Sequence, residues 1–229
     1  EDGMVPVDLI TKWENRHGTK ELTDLKIPFD FAKPSELIKY LISIVDSNKD
    51  ATILDFFSGS ATTAHAVMKF NSEDGGNRKF IMVQLPEETD EKSDARKAGF
   101  KTICEIGKER IRRAGSKIKE DSPLTTANLD VGFRVLKCDT SNMKEVFYAP
   151  DEVEQTLFDN YANNIKEDRT PEDLLFQVML DLGVLLSSKI EETTIAGCKV
   201  FNVAEGFLYA CFDNNISDEV VKAIANEQP

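Results

Sequence analysis

Asp55, Gly59, Thr62, Thr63, Gln84 and Glu87 are the residues whose types and spacing could do chemistry together. Asp55 closes a short apolar run, Ala51 to Leu54, and the loop Phe56-Phe57-Ser58-Gly59-Ser60-Ala61 follows it into Thr62-Thr63-Ala64-His65. A buried strand, a small-residue loop and a helix start near Thr62 form the ligand corner of a doubly wound α/β domain. Ligands there sit beyond the carboxyl ends of the strands. Gly59 lets the backbone come close to a ligand with no Cβ in the way. The unpaired first-turn amides of the helix can hold a carboxylate. Gln84 ends a second apolar run, Phe80 to Leu85, 29 residues after Asp55. Its amide can accept through oxygen and donate through nitrogen, without a charge. Glu87, three residues on, could supply an acid from the loop.

Two nucleotide readings of the loop fail. A phosphate-clasping P-loop needs a second Gly followed by Lys and Ser/Thr, and Ala-Thr-Thr-Ala-His stands there instead. A dinucleotide fingerprint needs three spaced glycines, and only Gly59 is present. What remains suits a nucleoside with an amino-acid tail, of which S-adenosylmethionine is the common one. Bland alternatives stand beside each role. Asp55 could cap the loop's own amides, Gln84 could be a polar residue at a strand edge, and Lys33 could be a solvated helix entry.

The flanks are Phe29-Asp30-Phe31-Ala32-Lys33-Pro34-Ser35 upstream and Asn77-Arg78-Lys79-Phe80-Ile81-Met82-Val83-Gln84-Leu85-Pro86-Glu87 downstream. With Gly99-Phe100-Lys101-Thr102-Ile103 and Glu109-Arg110-Ile111-Arg112-Arg113, the chain resembles the modification subunit of Type III restriction–modification systems, most strongly over residues 8 to 120. That resemblance implies a DNA adenine-N6 methyltransferase using S-adenosylmethionine, with a Rossmann-like sheet and methyl-donor motifs placed after the catalytic motif. It assigns Asp55 to the ammonium of the methionine moiety, and Gln84 or Glu87 to the ribose hydroxyls. Phe31, Lys33 and Pro34 approach the methionine end, and Phe56, Phe57, Ser58, Ser60, Ala61, Thr62 and Thr63 line the pocket around Gly59. Ala61 departs from the family's second glycine, so a left-handed backbone there would be strained. Adenine methylation also needs a group that accepts the N6 protons and a base swung out of the duplex. The family does the first with an Asp-Pro-Pro-Tyr loop, and no Pro-Pro pair occurs here. The resemblance therefore places catalysis and target recognition upstream, with no catalytic residue in this chain, which reads as a C-terminal piece. It implies DNA, a restriction subunit and a second copy as partners.

Charge and composition narrow the rest. The net charge of −13 is unevenly spread: residues 1–119 carry 20 acidic and 20 basic side chains, and residues 120–229 carry 21 acidic and 8 basic. Phosphate neutralisation demands a basic surface, so the acidic half points to solvent or a protein partner rather than DNA. The segment Lys101 to Lys119 holds seven Lys/Arg against Glu105 and Glu109. Such a helix is a candidate phosphate stripe, although a solvated face is the commoner use of that pattern. Cys104, Cys138, Cys198 and Cys211 show no C-x-x-C pairing, and His17 and His65 lack ligand-spaced partners. Reduced, buried thiols in a cytoplasmic protein are expected, with no metal. No run is long and apolar enough for a membrane span.

The elements that must position these residues follow from periodicity. The reading is a loop at 15–19, a short helix at 21–25, and a helix after Pro34 burying Leu37, Ile38, Leu41, Ile42 and Val45. Strands follow at 51–56 and 80–85, separated by a helix from Thr62 to near Phe70. A helix then spans 101–119 with Ile103, Ile106, Ile111, Ala114 and Ile118 inward. Beyond a linker come a strand at 132–136, an irregular acidic stretch, and a helix from the capping box Thr170-Pro171-Glu172-Asp173 to Leu186. Strands near 199–203 and 207–212 and a helix from Ser217 complete the pattern. The domain reading is 1–121 for cofactor binding and 122–229 for a smaller acidic α+β module. Two rivals remain open: a methyltransferase fold acting on RNA or a small molecule, and a protein-interaction module docking a restriction subunit or a second copy.

Overall fold

A computed structural model describes residues 9–144 and 164–227, so part of the expected acidic stretch (145–163) lies outside the described residues. The chain forms two compact units, residues 1–133 and 134–229. Each is a mixed arrangement of helices with one small sheet.

In the first unit, α1 (Asn15–Asp24) and α2 (Ser35–Val45) precede β1 (Thr52–Asp55), α3 (Thr62–Asp74) and β2 (Lys79–Met82). A single turn α4 (Asp94–Lys97) and the long α5 (Ile103–Asp121) follow. β1 and β2 pair in parallel, from Thr52 against Lys79 to Asp55 against Met82. Parallel neighbours require a crossover, and α3 supplies it. The core joins Leu22, Leu25, Ile27 and Ala32 to Ala61, Ala64 and Met68, and then to Ile106, Ile111 and Ala114. Val131 and Phe133 pack against the same core, so residues just beyond α5 belong to this unit.

Several local expectations are corrected. Residues 15–19 are the first half of α1 and not a loop. Gly18 sits inside that helix because a Cβ there would run into the backbone of Ala32 and Lys33. That close approach holds α1 against the entry to α2. Pro34 is the N-cap of α2 rather than its first residue. Of the stripe expected to be buried on α2, only Ile42 is fully inside, and Val45 is 84% exposed. α3 continues to Asp74, where Gly75 takes the left-handed conformation that closes a helix. α5 begins with a reciprocal capping box between Thr102 and Glu105.

The second unit contains α6 (Pro171–Asp181), an antiparallel sheet in the order β3 (Ile190–Ile195), β4 (Cys198–Val203), β5 (Leu208–Ala210), and α7 (Asp218–Asn226). The Thr170/Asp173 capping box forms as read from the sequence. The helix stops at Asp181 and not Leu186, with Gly183 at φ +70° just beyond. No strand forms at 132–136; the Arg134 guanidinium instead donates to the carbonyls of Leu186 and Ser188. β3 escaped the sequence reading because Glu191 to Thr194 are all exposed, leaving no apolar alternation. β4 is buried on both faces: Phe201 and Val203 meet Leu175 and Met179 of α6, while Cys198 and Val200 meet Val220 of α7. Among the described residues, no helix is long and apolar enough to cross a membrane. All four cysteines are free thiols; Cys198 is buried as expected, whereas Cys138 is exposed.

Candidate functional site

The loop after β1 is built by backbone bonds that outrun the regular ladder. Val83 N–H donates to the Asp55 carbonyl at 2.8 Å, and Ser58 N–H donates to the Val83 carbonyl at 3.1 Å. Ala61 N–H then closes a tight turn on the Ser58 carbonyl at 2.7 Å. Two residues of this turn are left-handed: Gly59 at φ +50° and Ala61 at φ +60°. Ala61 therefore carries the backbone strain that its departure from glycine implied, of about 1–2 kcal/mol for an L-residue. Its buried methyl, packed with Ala64 and Ile106, offsets part of that cost.

The two polar residues at the strand ends hold this loop. The Asp55 carboxylate accepts from Phe57 N–H at 3.2 Å and from the Thr63 hydroxyl at 2.6 Å. The loop-capping role open to Asp55 in the sequence is thus realised. A carboxylate offers about four acceptor directions, so Asp55 keeps capacity for a ligand. Gln84 Oε1 accepts from Gly59 N–H at 2.8 Å, and its Nε2 donates to the Leu85 carbonyl at 3.3 Å. The Cys104 thiol, at the start of α5, lies 3.4 Å from the Gln84 and Leu85 carbonyls and fixes that strand end from behind. Asp55, Gly59, Thr63 and Gln84 therefore form one hydrogen-bonded corner.

Aromatic residues surround the corner. A Cβ built on Gly59 would meet only Phe29 Cζ, at 4.0 Å, so the backbone is open there and the 29–34 segment borders it. Phe31 is left-handed (φ +62°) and 85% exposed. Phe56 and Phe57 are also exposed, with ring centroids 5.0 Å apart. Lys33 is exposed and donates to Asn15 Oδ1 at 3.4 Å, while Pro34 is buried. Ser58 is half-buried, Ser60, Thr62 and Thr63 are buried, and Glu87 is exposed.

Beneath the loop lies a group that the sequence reading missed. Arg110, taken as one cation of a basic helix, is fully buried. Its Nη1 donates to the Ser60 and Thr62 hydroxyls at 2.9 and 2.6 Å, and its Nη2 donates to Glu21 Oε2 at 3.2 Å. Glu21 in turn accepts from the Ser35 N–H and hydroxyl. One guanidinium thus ties α1, α2, the loop and α5 together. Burial lowers Arg110 to about 10 against the pull of Glu21. His65 Nδ1 lies 3.5 Å from Arg110 Nη2, and burial followed by the Arg110 charge lowers the imidazole to about 3, so it is neutral at pH 7. The sequence held a signal for Arg110: it falls on the apolar stripe of Ile103, Ile106 and Ala114. Arg113 is also engaged internally, donating to the Leu25 and Lys26 carbonyls at 3.0 and 2.7 Å.

Comparison with known proteins gives this corner its context. Residues 7–114 match the family model described as DNA methylase. The Mod subunit of the Type III restriction-modification enzyme StyLTI from Salmonella typhimurium is 46% identical over 122 residues, 52% of this chain and 18% of that protein. The EcoP15I Mod subunit from Escherichia coli is 36% identical over 218 residues, 92% of this chain and 31% of that protein. The EcoPI Mod subunit from Escherichia phage P1 is 33% identical over 208 residues, 90% of this chain and 30% of that protein. The chain thus spans less than a third of the length of these curated relatives. The loop, its strand ends and its helix all lie inside the segment that matches the DNA methylase family, and the chain is similar along most of its length to Mod subunits of Type III restriction-modification enzymes.

Proposed function

We propose that this chain carries the S-adenosylmethionine-binding part of a DNA adenine-N6 methyltransferase of the Type III modification-subunit kind, on a Rossmann-like sheet of which β1–α3–β2 is one unit. The observation that carries the reading is the corner itself. The carboxyl ends of two parallel neighbours present Asp55 and Gln84 around a left-handed loop that opens over Gly59 and leads into α3. The donor set suits the ligand. Asp55 would meet the ammonium, while Gln84 and Glu87 would serve the ribose hydroxyls. The amides of Thr62 and Thr63, at the start of α3, would face the carboxylate together with Lys33. The exposed rings of Phe31, Phe56 and Phe57 would cover the apolar parts, beside Ser58, Ser60, Ala61 and Pro34. The bound cofactor supplies an electrophilic methyl group. This chain's residues bind and orient it, and none of them forms an Asp-Pro-Pro-Tyr loop. Acceptance of the adenine N6 protons and reading of the DNA sequence are assigned to other parts of the longer enzyme. The acidic residues 120–229 are assigned to a protein partner, such as a restriction subunit, on their charge.

The test is calorimetric titration of the 229-residue chain with S-adenosylmethionine and its demethylated product, beside a label-transfer assay on adenine-containing DNA. Binding of both forms without transfer is expected. Gly59→Val, which sets a branched side chain at a left-handed position facing the ligand, should abolish binding in a folded chain. Undiminished affinity in that variant would remove the loop from the site, and turnover by the chain would show that the acceptor machinery lies within it.

A further inference from the structure

The second unit holds a cluster that the methyl-donor corner does not use. Cys198, Cys211 and Asp213 bring two thiol sulfurs and a carboxylate oxygen within 4.8 Å of one another. Sheet register explains the convergence. Phe201 pairs with Ala210 at the end of β5, and the chain that runs on from there carries Cys211 and Asp213 back alongside the start of β4. Cys198 and Cys211 both pack with Val220 of α7, on the face of the sheet that this helix covers. Val200, Val220 and Ile224 form the apolar surroundings there. Cys198 is buried, Cys211 half-buried and Asp213 the most open of the three. The carboxylate is oriented from behind, since Asp213 Oδ2 accepts from Lys199 N–H at 2.8 Å. The Cys198 thiol is held 3.6 Å from the Asn215 carbonyl.

We propose that Cys198, Cys211 and Asp213 form a site for a thiophilic divalent cation of the zinc class, with its fourth position open to water. Two soft sulfurs with one carboxylate are the donor types that such an ion selects over magnesium or calcium. Burial, and then the neighbouring Asp213 charge, push the Cys198 thiol up. A divalent cation reverses that shift. On binding, two S–H bonds break, two metal–sulfur bonds form and two protons pass to solvent. The ion would clip β4 to the segment after β5, three residues beyond the last paired residue, Ala210, and so fix the entry to α7. Absence of a C-x-x-C motif does not oppose this, because the two thiols meet across strands and not within one turn.

The experiment uses the reduced, metal-stripped, untagged 229-residue chain titrated with Co²⁺ as the probe, then with Zn²⁺. One equivalent of Co²⁺ should produce a near-ultraviolet thiolate-to-metal charge-transfer band that Zn²⁺ displaces. Cys198→Ser and Cys211→Ser should each lose it, and Cys138→Ser should keep it. Asp213→Asn, which retains an acceptor for Lys199 and leaves the core untouched, should weaken Co²⁺ by about tenfold or more at unchanged far-ultraviolet circular dichroism. In the unmutated chain, Zn²⁺ should slow alkylation of Cys211 at least tenfold while leaving Cys138 unchanged, read by peptide mass spectrometry. A folded, reduced chain with no such band, a band that survives the double Cys→Ser variant, or equal alkylation of Cys211 with and without Zn²⁺ would each overturn the proposal.

Discussion

Arg110 is the residue on which the loop after β1 rests. It is buried, shares Nη1 between the hydroxyls of Ser60 in the loop and Thr62 at the start of α3, and pairs with Glu21, while its Nε has no partner among the described residues. Removing one member of a buried pair leaves the other uncompensated, and such changes cost about 3–5 kcal/mol. Glu21 is partly open to water, so Arg110→Leu should destabilise the first unit by about 3 kcal/mol, with Glu21→Gln costing less. Urea unfolding followed through Trp13, the only tryptophan and a neighbour of Tyr40, would measure both. Arg110→Lys should also loosen the loop, since one ammonium cannot reproduce the planar fork. His65 makes a second prediction. Its folded pKa is depressed from 6.5 to about 3, so the unfolded state binds more protons between those values. Stability from this group is therefore full above pH 6.5 and falls as the pH drops toward 3. From pH 7 to pH 5 the loss should be about 1–2 kcal/mol, since each pH unit below 6.5 costs about 1.36 kcal/mol before allowance for partial exposure. The same Trp13 measurement should show that His65→Gln flattens the dependence.

At the scale of elements, the loop-to-α3 junction is short because Ala61 is forced left-handed between the Ser58 carbonyl and the first turn of the helix. Ala61→Gly relieves about 1–2 kcal/mol of strain. It also removes a buried methyl worth about 0.8 kcal/mol and adds freedom to the unfolded chain. The net change should lie within about 0.5 kcal/mol of zero, whereas Ala61→Val should be clearly destabilising. Equal losses for the two variants, measured by denaturation, would show that the left-handed conformation does not govern this position. α5 behaves differently from an ordinary basic helix. Two of its cations, Arg110 and Arg113, are spent on internal carbonyls, hydroxyls and a carboxylate, which thins any phosphate stripe.

For each whole unit, exposed apolar surface is the main liability. Leu54, Phe56, Ile81, Val83 and Leu85 are all about half exposed or more, along a two-stranded parallel sheet. Parallel strands are normally buried on both faces, and contiguous patches of this kind drive association. The chain should therefore self-associate as its concentration rises, seen by sedimentation velocity, and Ile81→Lys with Val83→Lys should shift it toward monomer. Monomer at all concentrations in the unmutated chain would contradict this. Duplex DNA binding should be weak and steeply salt-dependent, because residues 1–119 carry no net charge and the remainder is strongly acidic. A filter-binding titration at two salt concentrations would check it, with tight, sequence-specific binding as the contrary outcome.

Local physics was legible in the linear chain wherever neighbours in sequence decide the outcome. The Thr170–Asp173 capping box, the inward stripe of Ile106, Ile111 and Ala114, and the strand–loop–helix run through Gly59 all depend on residues within a turn or two. The family resemblance rested on the same contiguous motifs. Contacts between distant segments were not legible in this way. Gly18 reads as a loop residue until the Ala32 backbone is seen against it, and β3 reads as polar coil until β4 pairs with it. Arg110 counts as one surface charge among seven until Ser60, Thr62 and Glu21, up to 89 residues away, close around it. Cys198 and Cys211 are unrelated thiols until the antiparallel pairing of β4 and β5 brings them to one face. Sequence determined which short segments turn and coil. Only tertiary packing decided which polar groups leave water, because desolvation depends on what arrives from the rest of the chain.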